Sequence, residues 1–222
     1  MPRAIKDLYT VTRPNTAMSK KVIMFGGAGT DAPLPPIEPG VERWGLNNLV
    51  RVFPARFEGV TRWFDLHPKQ YIVSPKSLGG RGGANMWGWY RTLDIPLYMW
   101  ETHPDLPTST VYPLHAVREM FGGTRLFNSS LDWQIALALY EGFDEIELYA
   151  FRMASTNYQH QVSTALWWLK QCADRGVTVT HLSPSSLAGI SRVVGLKPPQ
   201  PEPHHLMYGL DTTDRSKLYR GR

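Results

Sequence analysis

Short apolar runs, each closed by glycine, proline or polar residues, dominate the first 130 positions of the chain. Runs of this length are typical of β-strands. The pattern predicts five strands, at 21–25 (KVIMF), 41–48 (VERWGLNN), 60–68 (VTRWFDLHP), 95–101 (IPLYMWE) and, shortest, 124–128 (TRLFN). The glycine-rich stretch 74–89 between them predicts a mobile loop.

A longer periodic pattern begins at residue 131 and predicts a helix. Residues 131–139 place leucine, isoleucine and alanine at helical spacing, and Gly142 is typical of a position just beyond a helix end. The alternatives for the N-terminal cap are Asn128, Ser129 and Ser130, whose side chains can accept a hydrogen bond from the first turn.

A second helix and two further strands are predicted after the first helix. Apolar residues at helical spacing run from Tyr158 to Arg175, and Gly176 follows them. Strands are predicted at 144–151 (DEIELYAF) and 177–184 (VTVTHLSP), and 185–190 (SSLAGI) predicts a short helix.

The order of these elements is that of an α/β fold, with helices connecting parallel strands. We therefore expect a single Rossmann-like domain, with a mostly parallel sheet and helices on both faces. The predicted organisation is an N-terminal arm at 1–20, the domain at 21–195 and an extended basic tail at 196–222.

Ligands of such folds bind at the carboxyl ends of the strands. Polar or glycine-rich segments follow most of the predicted strands, so we expect them to line one rim of the sheet. These segments are Gly26–Asp31, Asn47–Asn48, Asp65–His67, Glu101–His103, Asn128–Ser130 and Phe151–Met153.

Composition limits the class of protein. Hydrophobic residues make up 42% of the 222 positions, enough to bury a sizeable core. Cys172 is the only cysteine, which excludes a disulfide framework and a cysteine-based zinc site and favours a reducing, cytoplasmic compartment. No apolar run approaches the length of a membrane span and the first 20 residues have no apolar signal core, so neither membrane insertion nor secretion is expected.

The net charge of +5 favours anionic partners such as nucleotides or nucleic acids, and it equally suits a mildly basic soluble protein. Oligomeric state is not determined by these numbers, and a homo-oligomer is compatible with them.

The glycine loop after the first strand has two interpretations. Gly26, Gly27 and Gly29 let the backbone approach a phosphate closely, or they simply form a tight turn. The loop has neither the G-x-G-x-x-G spacing of dinucleotide folds nor the Gly-Lys-Ser/Thr of a P-loop.

Side chains at two other strand ends carry candidate chemistry. Asp65 or His67, two residues apart, can act as a general base or, with His103, bind a metal, although a histidine before a proline is often a turn residue. The carboxylates are scattered along the chain, so no metal site is expected. Asn47 and Asn48 can contact a ribose or base edge, or form an ordinary turn.

The two helix starts carry the remaining candidates. Ser129 and Ser130 at a helix N-terminus make an anion site or a simple cap, and the two are compatible. Arg152 can hold a phosphate, and Tyr158 and His160 can donate to a leaving phosphate or take a proton from an acceptor. The alternative is a helix start with exposed polar side chains.

These motifs, in this order, resemble the small metal-independent bacterial sialyltransferases, which have a modified Rossmann fold, and phage-encoded proteins similar to them. The pterin-diphosphokinase-like fold is a more distant relative. "KVIMFGGAGTD" resembles the family's first strand and loop, "WGLNNL" takes the place of its Cys-Asn-Gln stretch, and "LFNSSLDWQIALALYEGFDEIELYAFRM" resembles its Thr-Ser-Gly helix and next strand. "SPSSLAG" is similar to the family's "CPNSLLA", and "FDLHP" and "LMYGL" resemble the phage group.

The resemblance covers most of residues 21–190 and implies which residues contact a cytidine nucleotide: Gly26, Gly27, Asn47, Ser129 and Ser130. Tyr158 is the nearest match to the tyrosines that support the leaving phosphate. The chain departs from the family at Gly27, where the family has asparagine, and at Arg152, where it has an acid. The lid segment with the family's catalytic histidine is absent or much shortened.

The motifs and the resemblance together predict a nucleotide-sugar-dependent glycosyltransferase that uses no metal. We expect Gly26–Gly29 and Ser129–Ser130 to bind the phosphate, and Asn47 and Asn48 to contact the ribose or base. His67 or His160 is expected to deprotonate the acceptor. Arg152 and Tyr158 are expected to stabilise the leaving phosphate. The phage-like resemblance and the positive charge favour a hydroxymethylated DNA base as the acceptor. The alternative is a non-catalytic nucleotide- or nucleic-acid-binding phage accessory protein on the same fold.

Overall fold

Seven strands form one sheet in the computed structural model, which describes residues 19–73, 86–153 and 159–183. The strands are β1 (Lys21–Phe25), β2 (Val41–Leu46), β3 (Arg62–Phe64), β4 (Leu97–Met99), β5 (Ser109–Val111), β6 (Glu145–Tyr149) and β7 (Thr178–His181). They lie in the order β5-β4-β3-β2-β1-β6-β7, and all neighbouring pairs are parallel. The predicted α/β, Rossmann-like architecture is therefore confirmed.

Six helices connect or follow the strands within the described residues. They are α1 (Leu49–Val52), α2 (Lys69–Val73), α3 (Met86–Tyr90), α4 (Leu114–Met120), α5 (Ser130–Tyr140) and α6 (Gln159–Asp174), and a 3₁₀ turn spans Pro54–Phe57. None of the helices in this part of the chain is long and apolar enough to cross a lipid bilayer.

The core lies on both faces of the sheet because the side chains of a strand alternate between faces. Val22 and Met24 of β1 belong to a cluster that includes buried residues of α5 and α6. Ile23 and Phe25 belong to a second cluster, which includes buried residues of α2 and α3. Helices therefore cover both faces, and β1 is buried between them.

Helix α5 is buried along almost its whole length, since it packs between β1, α4 and α6. Of the three predicted alternatives for its cap, the structure selects Ser129, whose hydroxyl accepts a hydrogen bond from the backbone of Asp132. Gly142 follows the helix with φ of 76°, a conformation that favours glycine. The start of α5 is thereby placed at the carboxyl edge of the sheet.

The predicted strand at 124–128 is wrong. Its backbone carbonyls are taken by side chains, as Arg118 Nε donates to Thr124 O at 3.0 Å and Trp168 Nε1 to Leu126 O at 2.6 Å. The Phe127 ring stacks on Trp133 with centroids 3.7 Å apart. The strand next to β4 is instead β5, whose residues are polar or partly exposed and gave no apolar pattern.

The predicted loop at 74–89 is wrong over its last part. Residues 74–85 lie outside the described residues, but Met86–Trp89 belong to α3. Trp87 and Tyr90 of this helix are buried at 3% and 0% exposure, because the aromatic residues fill the second core cluster. The predicted helix at 185–190, most of the N-terminal arm and the C-terminal tail also lie outside the described residues.

Strand β3 is shorter than its predicted span of 60–68. Its last pairing with β2 joins Leu46 to Phe64, and the last backbone hydrogen bond to β4 is from Asp65 N to Tyr98 O at 3.1 Å. Asp65 and His67 consequently lie just beyond β3 rather than within it.

Candidate functional site

The carboxyl ends of β1 and β6 flank the point where the strand order reverses. From β1 the chain adds β2, β3, β4 and β5 on one side, and then returns to pair β6 with the other side of β1. This switch point is where α/β sheets commonly bind ligands. The loops that meet there are 26–31 and 150–153.

The inward side of the glycine loop is fastened to the end of β6. Gly26 N donates to Tyr149 O at 2.7 Å, and Ala28 N donates to Ala150 O at 3.0 Å. A Cβ atom on Gly26 would lie 2.5 Å from Ala150 O, so only glycine fits at this position. Gly26 is therefore required by the fold, independently of any ligand.

A buried arginine supports the same loop from beneath. Arg56 Nη1 donates to Gly26 O at 2.6 Å, and Nη2 donates to Ala28 O at 2.7 Å. Its guanidinium lies 3.8 Å from the centre of the Phe53 ring, and the residue is 4% exposed. Burial lowers the pKa of Arg56, but an arginine still remains charged.

Arg56 has no acidic partner among the described residues, since no described carboxylate forms an ion pair with its guanidinium. The guanidinium donates to two backbone carbonyls and also interacts with Tyr149, whose ring centroid lies 5.2 Å from it. The loop therefore lies over a buried cation that has no carboxylate partner among the described residues, which favours an anion on the outer side of the loop.

The outward side of the loop is open. Gly27 and Gly29 are exposed, and a Cβ atom on either would meet nothing within 4 Å. Neither has a positive φ. Their N–H groups donate no hydrogen bond within the described part of the chain. Neither backbone conformation nor packing in the fold requires glycine at these two positions.

Asn47 joins the end of β2 to the start of α5. It has φ of 47°, and its Nδ2 donates to Ser130 Oγ at 3.0 Å. Its carbonyl accepts a hydrogen bond from Trp63 Nε1 at 3.1 Å. Asn48 occupies the cap position of α1 and is half-buried, with no side-chain cap hydrogen bond.

The two non-glycine residues with positive φ in the described chain are Asn47 and Ala150. Asn47 directly follows β2 and Ala150 directly follows β6, so they flank the end of β1 on its two sides. A left-handed backbone is costly for alanine, and such strain tends to concentrate at functional sites.

The N-terminus of α5 already holds a carboxylate. Asp132 Oδ2 accepts hydrogen bonds from Asn128 N at 2.7 Å, Ser129 N at 2.9 Å and Thr164 Oγ1 at 2.8 Å. Burial raises the pKa of Asp132 to about 7. Ser129 and Ser130 are buried, with their hydroxyls bonded to Asp132 N and Asn47, so this helix end is filled by the protein's own groups.

Asp65 and His67 form a hydrogen-bonded pair beyond β3. His67 Nδ1 lies 2.7 Å from Asp65 Oδ1, and His67 N donates to the same oxygen at 3.2 Å. Asp65 is 3% exposed, and its second oxygen accepts from Tyr90 Oη at 2.5 Å. A carboxylate in this position selects the imidazole tautomer with hydrogen on Nδ1, which leaves the ring lone pair on Nε2.

His103 does not join this pair. Its Nε2 lies 3.9 Å from Glu101 Oε1 and its ring packs edge-on against Trp87, with centroids 4.7 Å apart. Burial lowers the pKa of His103. The described residues include no group of three or more His, Cys, Asp or Glu side chains suited to hold a metal ion.

Two of the remaining predicted residues belong to described segments that follow β6 in the chain. Arg152 is exposed in the loop after β6, and His160 lies in the first turn of α6. Tyr158 lies outside the described residues.

Two residues of the site, Arg56 and Tyr90, were not predicted from the sequence. Arg56 is 30 residues away from Gly26, and Tyr90 is 25 residues away from Asp65. The one local signal is that Arg56 stands among aromatic residues in "FPARF", a setting that suits a buried guanidinium.

Comparisons of this chain with protein-family models, with curated proteins and with solved structures find no match. The resemblance to the sialyltransferase-like proteins therefore stays a prediction.

Proposed function

We propose that the protein is a nucleotide-sugar-dependent glycosyltransferase in which His67 is the general base. The observation that carries this proposal is the 2.7 Å contact between His67 Nδ1 and Asp65 Oδ1 at the carboxyl edge of the sheet. A histidine oriented by a buried carboxylate is well suited to remove a proton from a hydroxyl group.

The proposed reaction is a direct displacement at the sugar carbon. His67 Nε2 takes the proton of the acceptor hydroxyl, and the acceptor oxygen forms a bond to the anomeric carbon. The bond between that carbon and the phosphate oxygen breaks, and the nucleotide phosphate leaves with the electron pair. Asp65 stabilises the imidazolium that forms.

The glycine loop is the proposed donor site. Gly27 and Gly29 leave their N–H groups and the space above them open, and the Arg56 cation lies beneath the loop. Backbone N–H groups over a buried cation favour the phosphates of a nucleotide. Arg152 and Tyr158 are proposed to stabilise the leaving phosphate, with Asn47 and Asn48 nearest to the ribose or base.

The second candidate is a nucleotide- or nucleic-acid-binding protein without catalysis. It is favoured by the start of α5, where Ser129 is buried and the Asp132 carboxylate occupies the helix end. A second anion is disfavoured there, so binding would depend on the glycine loop alone. In this second candidate the glycine loop still binds the nucleotide, and His67 does not act as a base.

Binding is tested with a thermal-shift panel of CMP, UMP, GMP and their sugar conjugates. We expect at least one nucleotide to raise the Tm of the wild-type protein and to raise it less in Gly27→Ala, which places a methyl group above the loop. If no nucleotide or nucleotide sugar shifts the Tm, the protein does not bind these small ligands, and both candidate functions are wrong in that form.

Catalysis is tested with the nucleotide sugar that binds. Its hydrolysis, and its transfer to DNA with or without hydroxymethylated bases, are followed in wild type, His67→Ala and the control His115→Ala, which alters an exposed histidine of α4. We expect His67→Ala to lose transfer by at least about 100-fold while still binding the nucleotide. Transfer at the wild-type rate in His67→Ala would remove the base role, and binding without any transfer would favour the second candidate.

A further inference from the structure

The Asp65 carboxylate is held from two sides. Its Oδ1 atom accepts from His67, through both the ring and the backbone N–H, and its Oδ2 atom accepts from Tyr90 Oη at 2.5 Å. Tyr90 is the last residue of α3 and is 0% exposed. Rotation of the carboxylate would break the contacts to both partners.

The Tyr90 hydroxyl is a donor in this contact. Burial and the neighbouring Asp65 charge raise the pKa of Tyr90 well above its usual value, so the phenol keeps its proton. The same oxygen lies 3.3 Å from Asn47 O, but the hydroxyl has one proton and the shorter contact is to Asp65. Asn47 O already receives the Trp63 indole N–H.

We propose that Tyr90 is a positioning residue for His67, because it fixes the carboxylate that selects the Nδ1–H tautomer. The inference rests on the proposed role of His67 as a base. It adds a residue that touches neither donor nor acceptor and acts only through Asp65. Without the phenol, Asp65 can turn away from the imidazole, and the ring then samples the Nε2–H tautomer, which cannot accept a proton at Nε2.

The test compares Tyr90→Phe with Tyr112→Phe. Tyr112 is an equally buried tyrosine whose hydroxyl donates to Trp133 O at 2.9 Å, so both variants lose one buried hydrogen bond and keep the ring. The readout is the imidazole ¹H–¹⁵N spectrum near pH 8, which distinguishes the two tautomers, with the His67 signals identified from a His67→Gln sample. A third variant, Asp65→Asn, removes the carboxylate itself.

We expect His67 to be the Nδ1–H tautomer in wild type and in Tyr112→Phe, a mixture of both tautomers in Tyr90→Phe, and mainly the Nε2–H tautomer in Asp65→Asn. A tautomer in Tyr90→Phe that matches wild type overturns the positioning role. Absence of the Nδ1–H tautomer in the wild type overturns both the positioning role and the base role.

Kinetics separate the two proposals. In the sugar-transfer assay, Tyr90→Phe is expected to lower kcat about tenfold and to leave KM unchanged, because Tyr90 contributes only to the orientation of the base. If His67→Ala transfers at the wild-type rate but Tyr90→Phe still changes the His67 tautomer, the positioning role stands and the base role is wrong.

Discussion

Arg56 donates a hydrogen bond to the Gly26 carbonyl at 2.6 Å, so a buried cation holds the loop that follows the first strand. We expect Arg56→Lys to lower the free energy of unfolding by about 2 kcal/mol, because one ammonium cannot reproduce the fork of the guanidinium and leaves a buried carbonyl without a donor. Urea denaturation measures the change. The control Arg125→Lys, at an exposed arginine, is expected to stay within about 0.5 kcal/mol of wild type. Equal stability of the two variants would contradict the supporting role of Arg56.

The three glycines of the loop are expected to respond differently to alanine. Gly26→Ala places a methyl group 2.5 Å from Ala150 O and is expected to cost about 2 kcal/mol or more of unfolding free energy. Gly27→Ala and Gly29→Ala meet no atom, so they are expected to leave stability unchanged or raise it by about 0.4–1 kcal/mol. Urea denaturation of all three variants measures their free energies of unfolding. If Gly27→Ala is as unstable as Gly26→Ala, the outer face of the loop is packed and not open to a ligand.

Asp132 gives the fold a dependence on pH. Burial raises the pKa of this carboxyl from an ordinary value of 3.8 to about 7. The unfolded chain loses the proton near pH 4 and the folded protein near pH 7, so unfolding releases a proton between these values. The contribution of Asp132 to the free energy of unfolding is therefore highest below about pH 4 and falls as the pH rises to about 7. At about 1.4 kcal/mol per unit of pKa shift, the whole loss is on the order of 4 kcal/mol.

This dependence is measured by urea denaturation at intervals between about pH 4 and pH 8. Asp132→Asn cannot ionise, so its stability profile is expected to lack the decrease contributed by this group. Asp94→Asn, at an exposed aspartate, serves as the control and is expected to retain the wild-type decrease. A decrease of the same size in Asp132→Asn would assign it to other groups.

The left-handed backbone at Ala150 predicts an unusual response to glycine. Ala150 has φ of 61°, and this left-handed backbone costs alanine about 1 kcal/mol of conformational free energy more than it costs glycine. Ala150→Gly is therefore expected to raise the Tm or leave it unchanged. Ala138→Gly, in the interior of α5, is expected to lose about 1 kcal/mol or more of unfolding free energy. Thermal unfolding of both variants checks the difference in sign. A comparable loss of stability in both would show that Ala150 carries no strain.

The fold was predictable where the local pattern was long and strong. β1, β6, α5 and α6 were predicted within a few residues, because apolar spacing and the glycines at 142 and 176 determine them locally. β5 was missed because its three residues, Ser109–Val111, form an edge strand with no buried face to produce a pattern. The aromatic helix α3 was not predicted, because the glycines that precede it favoured a loop over the whole stretch.

The candidate site was predictable only in part. Asp65 and His67 are two residues apart, so their pairing was visible as a possibility in the sequence. The contacts of Tyr90 and Arg56 join residues 25 and 30 positions apart, and they depend on how α3 and the 3₁₀ turn pack beside the sheet. No spacing rule predicts such contacts. The sequence likewise could not show that Gly26 serves packing while Gly27 and Gly29 do not.

The position of β1 in the middle of the sheet has a consequence for biosynthesis. Lys21–Phe25 pairs on one side with β2 within the next 20 or so residues, but its other partner, Glu145–Tyr149, is made more than 100 residues later. At about 5–20 residues per second, the ribosome leaves that edge of β1 unpaired for roughly 6–25 seconds. Until β6 is made, β1 is therefore an apolar edge strand of the emerging half-sheet, and this is the stage at which a chaperone is most needed. The protein can complete its folding only after β6 has left the exit tunnel.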